Sequence, residues 1–319
     1  MNQITLTEAA EFLMSRDNFM ILTHRNPDGD TLGSAGALCL ALRAMGKTAA
    51  LLDNPQVTRV YAPEIAGLTA SRFDGSFTAI AVDCASFGLL QKNAELTEVQ
   101  LSLVIDHHRE HSPYSEKSLV FPHKSSCGEI ILDLLHALRL DITPEIARLL
   151  YIAVSTDTGC FRYKNTNADT LSAAAELVRV GVPNGDINHK LFRVKRMSRL
   201  KLESEIIAGL ELLRGGQLVI AVITQEMLKR SGADESDLDD ITNIALQPEG
   251  AEMSVTLREE RDGTTRVSVR TVLYANANKV CIELGGGGHG RAAGVTLDTG
   301  IAESRERMLS AIGKWWGTE

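Results

Sequence analysis

The heptad HRNPDGD, His24 to Asp30, puts an imidazole, a carboxamide and two carboxylates on one short turn directly after the apolar run FMILT. Further along, Asp83 closes FTAIAVD, Asp106, His107 and His108 close LSLVID, and Asp157 stands in STDTG. Carboxylate oxygen mixed with imidazole nitrogen, without thiolate, suits manganese, cobalt, iron or zinc, whereas all-oxygen sets suit magnesium or calcium. Carboxylates that converge without cations repel one another, and several would have to remain protonated. Two divalent ions remove that conflict, so a binuclear centre is expected. His24 and Asp28, four positions apart, can hold one ion, and Asp30 can point to a second. Pro27 stiffens the turn, and Gly29 is expected to let it fold tightly between ligands. An EF-hand is excluded, because the twelfth position counted from Asp28 is Cys39 rather than glutamate.

Each residue alone has a plainer reading. Asp28 would serve as a turn former or helix cap, Asp83 and Asp106 as strand-end turn residues, and a lone histidine as a surface group. The conjunction carries the argument: each polar cluster follows an apolar run, and in open parallel sheets ligands bind outside the carboxyl ends of the strands.

The elements that must position these groups follow from periodicity. FMILT, KTAALLD, FTAIAVD and LSLVID read as buried parallel strands, and TLGSAGALCLALRAMG reads as a helix that Gly46 stops. Helical patterns run from Ser125 to Gly181, with Ser125 or Ser126 capping one helix and Thr143 with Pro144 opening the next. After about residue 215, QLVIAVIT, AEMSVTLREE, TTRVSVRTVL and RAAGVTL read as strands, and ANANKVCIELGG as a helix. The expected fold class is α/β: a parallel-sheet domain with flanking helices over residues 1–189, a connecting helix over 190–214, and a smaller α/β domain over 215–319. The basic run KLFRVKRMSRLK is read as a solvated helix face.

The chain of 319 residues has no run of about 18 apolar residues, so no membrane helix is expected. Its N-terminus lacks the basic and apolar regions of a signal peptide. Five scattered cysteines with no C-x-x-C pair fit a reducing cytoplasm. A net charge of −8 argues against a broad grip on duplex DNA, which normally shows a basic footprint.

The glycine stretch GGGGHG is no P-loop, since no Gly-Lys-Ser/Thr follows. The run of glycines is expected to leave backbone N–H groups free to form an anion nest, with His289 and Arg291 adding side-chain donors.

HRNPDGDTLGS, the Asp83 ending, DHH at 106–108 and STDTG at 155–159 resemble, in order, the four motifs of the DHH phosphoesterase superfamily. GGGGHGRAAG, preceded by VSVRT, resembles the DHHA1 domain of its second subfamily. Within that group the two-domain length is similar to the nanoRNase A type, which joins oligoribonuclease and 3′-phosphoadenosine 5′-phosphate (PAP) phosphatase activity. The resemblance implies manganese, two ions, with cobalt or magnesium as substitutes. It implies His24, Asp28 and Asp83 around one ion, and Asp30, Asp83, His107 and Asp157 around the other. It places His108 on the scissile phosphate, with Asp83 and Asp106 in the same catalytic group. Arg270, Gly287, Gly288, His289 and Arg291 are implied to bind substrate. The expected partner is short single-stranded RNA or a mono- or dinucleotide, not duplex DNA and not a membrane; a homodimer stays open. A stand-alone cyclic or linear dinucleotide phosphodiesterase, an inorganic pyrophosphatase and a metal-containing nucleotide sensor are the alternatives. Many relatives carry an asparagine three positions after the motif's last histidine, where this chain has His111. His111 is read here as a solvent-facing histidine, in preference to a further metal contact.

Overall fold

The computed structural model describes residues 2–73, 76–93, 99–238 and 240–316. The chain divides into two compact units after Val194. The first holds α1 (Leu6–Ser15), β1 (Phe19–Leu22), α2 (Gly29–Ala44), β2 (Ala49–Leu52), β3 (Thr69–Ala70), β4 (Thr78–Val82), β5 (Leu103–Asp106), β6 (Lys117–Val120), α3 (Cys127–Ala137), α4 (Pro144–Asp157), α5 (Ala168–Val180) and α6 (Asn184–Phe192). The four expected strands are β1, β2, β4 and β5. The short strands β3 and β6 extend the sheet, whose pairings are all parallel and whose order is β3-β2-β1-β4-β5-β6. The order reverses between β1 and β4, which is where a crevice opens at the carboxyl ends of such a sheet.

Strand alternation splits the apolar residues between two cores. Phe19, Ile21, Ile80, Val82, Leu103 and Ile105 pack with residues of all six helices. Met20, Leu22, Ala79, Ala81 and Val104 face the other way, under Leu90, Leu101, Phe73, Phe77 and Tyr114 from irregular segments. The second face is therefore covered by loops, and those loops bring side chains to the crevice.

Asp28 caps α2 by accepting the N–H groups of Asp30 and Thr31. Ser126 caps α3, and Thr143 with Pro144 opens α4. Helix α2 is buried on nearly every side, so its polar first turn is carried into the interior. Gly29 does not serve the turn as expected. It lies in the helix without a positive φ, and a Cβ there would stand 2.5 Å from the Thr156 side chain. Its role is close approach: it lets the start of α2 meet the end of α4, which carries Asp157.

The second unit holds α7 (Met197–Ala208), β7 (Glu211–Leu213), β8 (Leu218–Ile223), α8 (Gln225–Ser231), β9 (Met253–Glu259), β10 (Thr265–Thr271), α9 (Ala277–Ile282), β11 (Gly287–His289), β12 (Ala292–Leu297) and α10 (Ile301–Trp315). Its sheet runs β11-β12-β10-β9-β8-β7, antiparallel except for the β8–β9 pair. Residues 190–213 are not one helix: α6 ends at Phe192, α7 begins at Met197, and β7 follows. The basic run is largely exposed, as expected, and also makes ion pairs. Lys190 meets Glu64, Lys195 and Arg199 meet Glu203, and Arg196 meets Asp234 and Asp237.

Candidate metal centre

The three strand ends and the two helix ends converge. His24 follows β1, Asp28 and Asp30 open α2, Asp83 follows β4, Asp106 ends β5 with His107 and His108 beyond it, and Asp157 ends α4. Three groups of ligand atoms lie within 4.8 Å of one another: His24, Asp28 and Asp83; Asp30, His107 and Asp157; and Asp83, His107 and His108.

Asp83 joins these groups. Its Oδ2 lies 3.7 Å from His24 Nε2, and its Oδ1 lies 3.5 Å from His107 Nε2. Oδ1 is buried and accepts no hydrogen bond. A buried acceptor left unpaired costs roughly 1–3 kcal/mol. The backbone adds to the cost, since Asp83 has φ +57° and such strain is of order 1–3 kcal/mol. It is held there by its N–H on Ile105 O at 2.8 Å. Next to it, Thr31 Oγ1 on α2 donates to Val82 O at 2.9 Å.

The histidines are turned by their second nitrogens. His107 Nδ1 donates to Lys124 O at 3.3 Å. Its Nε2 then faces Asp83, Asp157 and Asp30 at 3.5, 3.6 and 3.7 Å. A ring nitrogen fixed by a backbone carbonyl is the usual support of a metal-ligating histidine. Asp30 is 1% exposed, and its carboxylate faces the start of α3. It accepts the N–H groups of Cys127 at 2.7 Å and Gly128 at 3.0 Å, and the Ser34 hydroxyl at 2.9 Å.

Left to the protein's own groups, protons balance the crowding. Burial and the charges of Asp83 and Asp157 push Asp30 well above the usual carboxylate range. Burial, with Asp83 and Asp28, pushes Asp157 up to about 7. His107 is raised to about 11: burial would lower it, and the facing carboxylates of Asp83, Asp30 and Asp157 outweigh burial. Divalent cations would take the place of these protons, and the donor set fits manganese-class ions.

Asp106 is different. It is fully buried, and both its oxygens are used: Oδ1 accepts His108 Nδ1 at 2.7 Å and the His107 N–H at 2.9 Å, and Oδ2 accepts His111 Nδ1 at 2.6 Å. Burial would raise its pKa, but the His108 and His111 bonds outweigh burial and hold it well below the carboxylate range. His108 is thereby oriented with Nδ1 on Asp106, and its side chain is 40% exposed. The reading of His111 as solvent-facing is wrong. Its side chain is 4% exposed, pinned on Asp106 and beside the Tyr114 ring at 5.5 Å. The loop segment over the second sheet face buries it.

Further residues carried no motif signal. Gln91 is 2% exposed; its Oε1 accepts the Thr23 N–H and hydroxyl at 3.0 Å, and its Nε2 donates to Leu52 O and Asp53 O. It ties the ends of β1 and β2 together just before His24. Asn54 adds a bond to His24 O at 3.0 Å. Asn165 bridges Ser125 O and Asp157 O. Only the assembled fold reveals such amide contacts. The centre opens to a cavity of about 290 Å³, whose wall is completed by Arg25, Asn26, Ala85 and Leu89.

In the second unit, Arg270 on β10 and His289 on β11 both stand opposite Ala292 of β12. Cross-strand partners share a face, so the two side chains project together about 10 Å apart, two strand spacings. Part of the glycine stretch is closed to an anion. The N–H groups of Gly285 and Gly286 are spent on Ile282 O and Cys281 O, and Gly287–His289 forms an edge strand. Gly288 has φ +148°, and a Cβ there would meet Ala292 O at 2.6 Å. Arg291 lies exposed in the turn.

Comparison with known proteins agrees with this architecture. Residues 18–154 match the DHH family, N-terminal domain, and residues 215–318 match the DHHA1 domain. The bifunctional oligoribonuclease and PAP phosphatase NrnA of Thermus thermophilus is 31% identical over 298 residues, covering 92% of this chain and 88% of that protein. An exopolyphosphatase-related protein of Bacteroides fragilis has a similar fold, with TM-score 0.87 at 21% identity over 97% of this chain and 96% of that one. Exonuclease RecJ bound to manganese aligns with TM-score 0.56 at 16% identity over 99% of this chain and 96% of that one. By its two matched domains and its similarity to the NrnA-type proteins, the chain belongs to the DHH family, with a C-terminal DHHA1 domain.

Proposed function

We propose that the protein is a manganese-dependent, two-metal phosphoesterase that hydrolyses short oligoribonucleotides and PAP. The observation that carries this reading is Asp83: one strained, buried carboxylate faces two separate histidine–aspartate groups, one with each oxygen. The relative's name, oligoribonuclease and PAP phosphatase, supports the substrate class, and the manganese in RecJ supports the ion.

His24, Asp28 and Asp83 would hold one ion, and Asp30, Asp83, His107 and Asp157 the other. When bound, the ions supply positive charge against the phosphate and the acidity that makes water a nucleophile at neutral pH. The protein's own share falls to His108. Its pKa is raised: burial works against this, and the Asp106 hydrogen bond and charge prevail. With Nδ1–H donated to Asp106, Nε2–H is left to donate to a phosphoryl oxygen or to protonate the leaving oxygen. Asp106 and His111 fix that ring. In the second unit, Arg270, Gly287, Gly288, His289 and Arg291 are the proposed substrate-binding groups.

The test is a substrate panel with purified protein: di- to pentaribonucleotides, a 20-nucleotide RNA, PAP and cyclic dinucleotides, each with manganese, cobalt, magnesium or EDTA. Manganese-supported cleavage of the short RNAs and PAP is expected. Full activity in EDTA, or preference for the long strand, would overturn the reading.

A further inference from the structure

We propose that Arg25 and Leu89 form a second-phosphate subsite beside the metal centre. Arg25 binds a phosphate other than the one hydrolysed, and Leu89 packs against the nucleoside that bears it. The inference rests on the phosphoesterase reading above.

Arg25 lies in the wall of the cavity and is only partly buried. Among the described residues no carboxylate pairs with its guanidinium. That is unexpected, because Asp28, three positions on, is half-exposed in the same wall. The Asp28 carboxylate is engaged elsewhere: it faces His24 at 3.5 Å and accepts the N–H groups of Asp30 and Thr31. A cation thus stands among carboxylates in a concave pocket without being neutralised by them. The scissile phosphate already has its partners in the two ligand groups and His108. A planar, permanently charged fork suits an additional phosphate, which it can bind through two N–H groups at once.

The wall is rigid. The Arg25 N–H donates to Leu89 O at 2.8 Å, the Gln91 N–H donates to Thr23 O at 3.0 Å, and His24 bridges Leu90. The segment carrying Leu89 therefore runs as a short antiparallel partner to residues 23–25, locked by the buried Gln91 side chain. Leu89 is 39% exposed, although Leu90 beside it is buried. It gives the cavity an apolar lip next to the guanidinium. An apolar surface paired with a cation on a fixed backbone matches a nucleoside phosphate, and preorganisation keeps the ordering cost of binding low. The cavity, about 290 Å³, lies at the small end of ligand pockets, enough for roughly a nucleotide.

The test compares adenosine 3′,5′-bisphosphate with adenosine 3′-monophosphate, which lacks the second phosphate, titrated calorimetrically into the full-length manganese-loaded protein in a His108→Ala background chosen to slow turnover. Arg25→Ala should weaken the bisphosphate at least tenfold more than the monophosphate, and Arg25→Lys should recover part of the loss. Equal weakening of both would place Arg25 on the reacting phosphate and overturn the proposal. So would no weakening of either. Absence of hydrolysis by the wild type would sink the phosphoesterase reading instead, and the binding comparison would still decide this one.

Discussion

At the carboxyl end of the first sheet, charged groups are buried and held from several directions; on the β11–β12 hairpin of the second unit they stand in the open. Asp30 accepts three hydrogen bonds at 1% exposure, and Asp106 is fully buried with both oxygens engaged. His289 and Arg291 are exposed and flanked by glycine. The difference follows from what each region must tolerate. Ligands of two ions need fixed positions, and burial with many bonds supplies them. On the proposed reading the hairpin receives nucleotides, and exposure leaves the His289 and Arg291 side chains latitude to adjust to them. If this contrast is right, substitutions in the two regions should fail in different ways.

The largest effect is expected at Asp83. Asparagine tolerates a left-handed backbone better than most residues, so Asp83→Asn should keep the fold while weakening both ligand groups. Bound manganese, measured by elemental analysis after gel filtration, should drop from two ions to fewer than one. Turnover should fall at least about a thousandfold, or ~4 kcal/mol of barrier. Two full ions in this variant would break the first half of the comparison.

On the hairpin, Arg291→Ala should leave manganese content at two ions and raise KM for dinucleotides about tenfold, the worth of one charge-assisted contact. Loss of metal in this variant, or unchanged KM on a dinucleotide, would remove the hairpin from the substrate path.

The same contrast explains what could be read before the structure was known. HRNPDGD, Asp83, DHH and Asp157 were legible because each breaks an apolar pattern abruptly. Buried charge at the end of a buried strand has few explanations other than chemistry. His111 and Gln91 were not legible, because their burial depends on irregular segments that cover the second sheet face, and these follow no period. Gly29 was legible as necessary but not for the right reason, since its neighbour Thr156 lies far away in sequence. The β11–β12 hairpin was not legible in the stretch expected to form an anion nest, because glycines leave no alternation to mark β11.

The smallest effects test whether the first region's precision is local. His111→Phe preserves much of the ring's bulk beside Tyr114 but leaves Asp106 Oδ2 without its donor. A bond to a charged group contributes about 1.5–3 kcal/mol. Some of that should appear as lost stability, and a roughly fivefold fall in kcat should appear because His108 is no longer held firmly. Glu64→Gln provides the contrast within the same unit. Glu64 accepts Arg148 Nε at 2.8 Å and Lys190 Nζ at 2.7 Å. Burial would raise its pKa, but these partners outweigh burial and lower it. A carboxylate whose folded pKa lies below its unfolded value of about 4.3 stabilises the fold above that pH, and the contribution fades as pH falls through the folded value. Glu64→Gln should therefore cost about 1–2 kcal/mol in urea melts at pH 7, by the same bond energies, and progressively less as pH falls through the folded value. Its kcat at 25 °C should match the wild type, although it loses stability as His111→Phe does. Equal loss of kcat in the two variants would mean that turnover follows overall stability, and that the Asp106–His111 bond does not position His108.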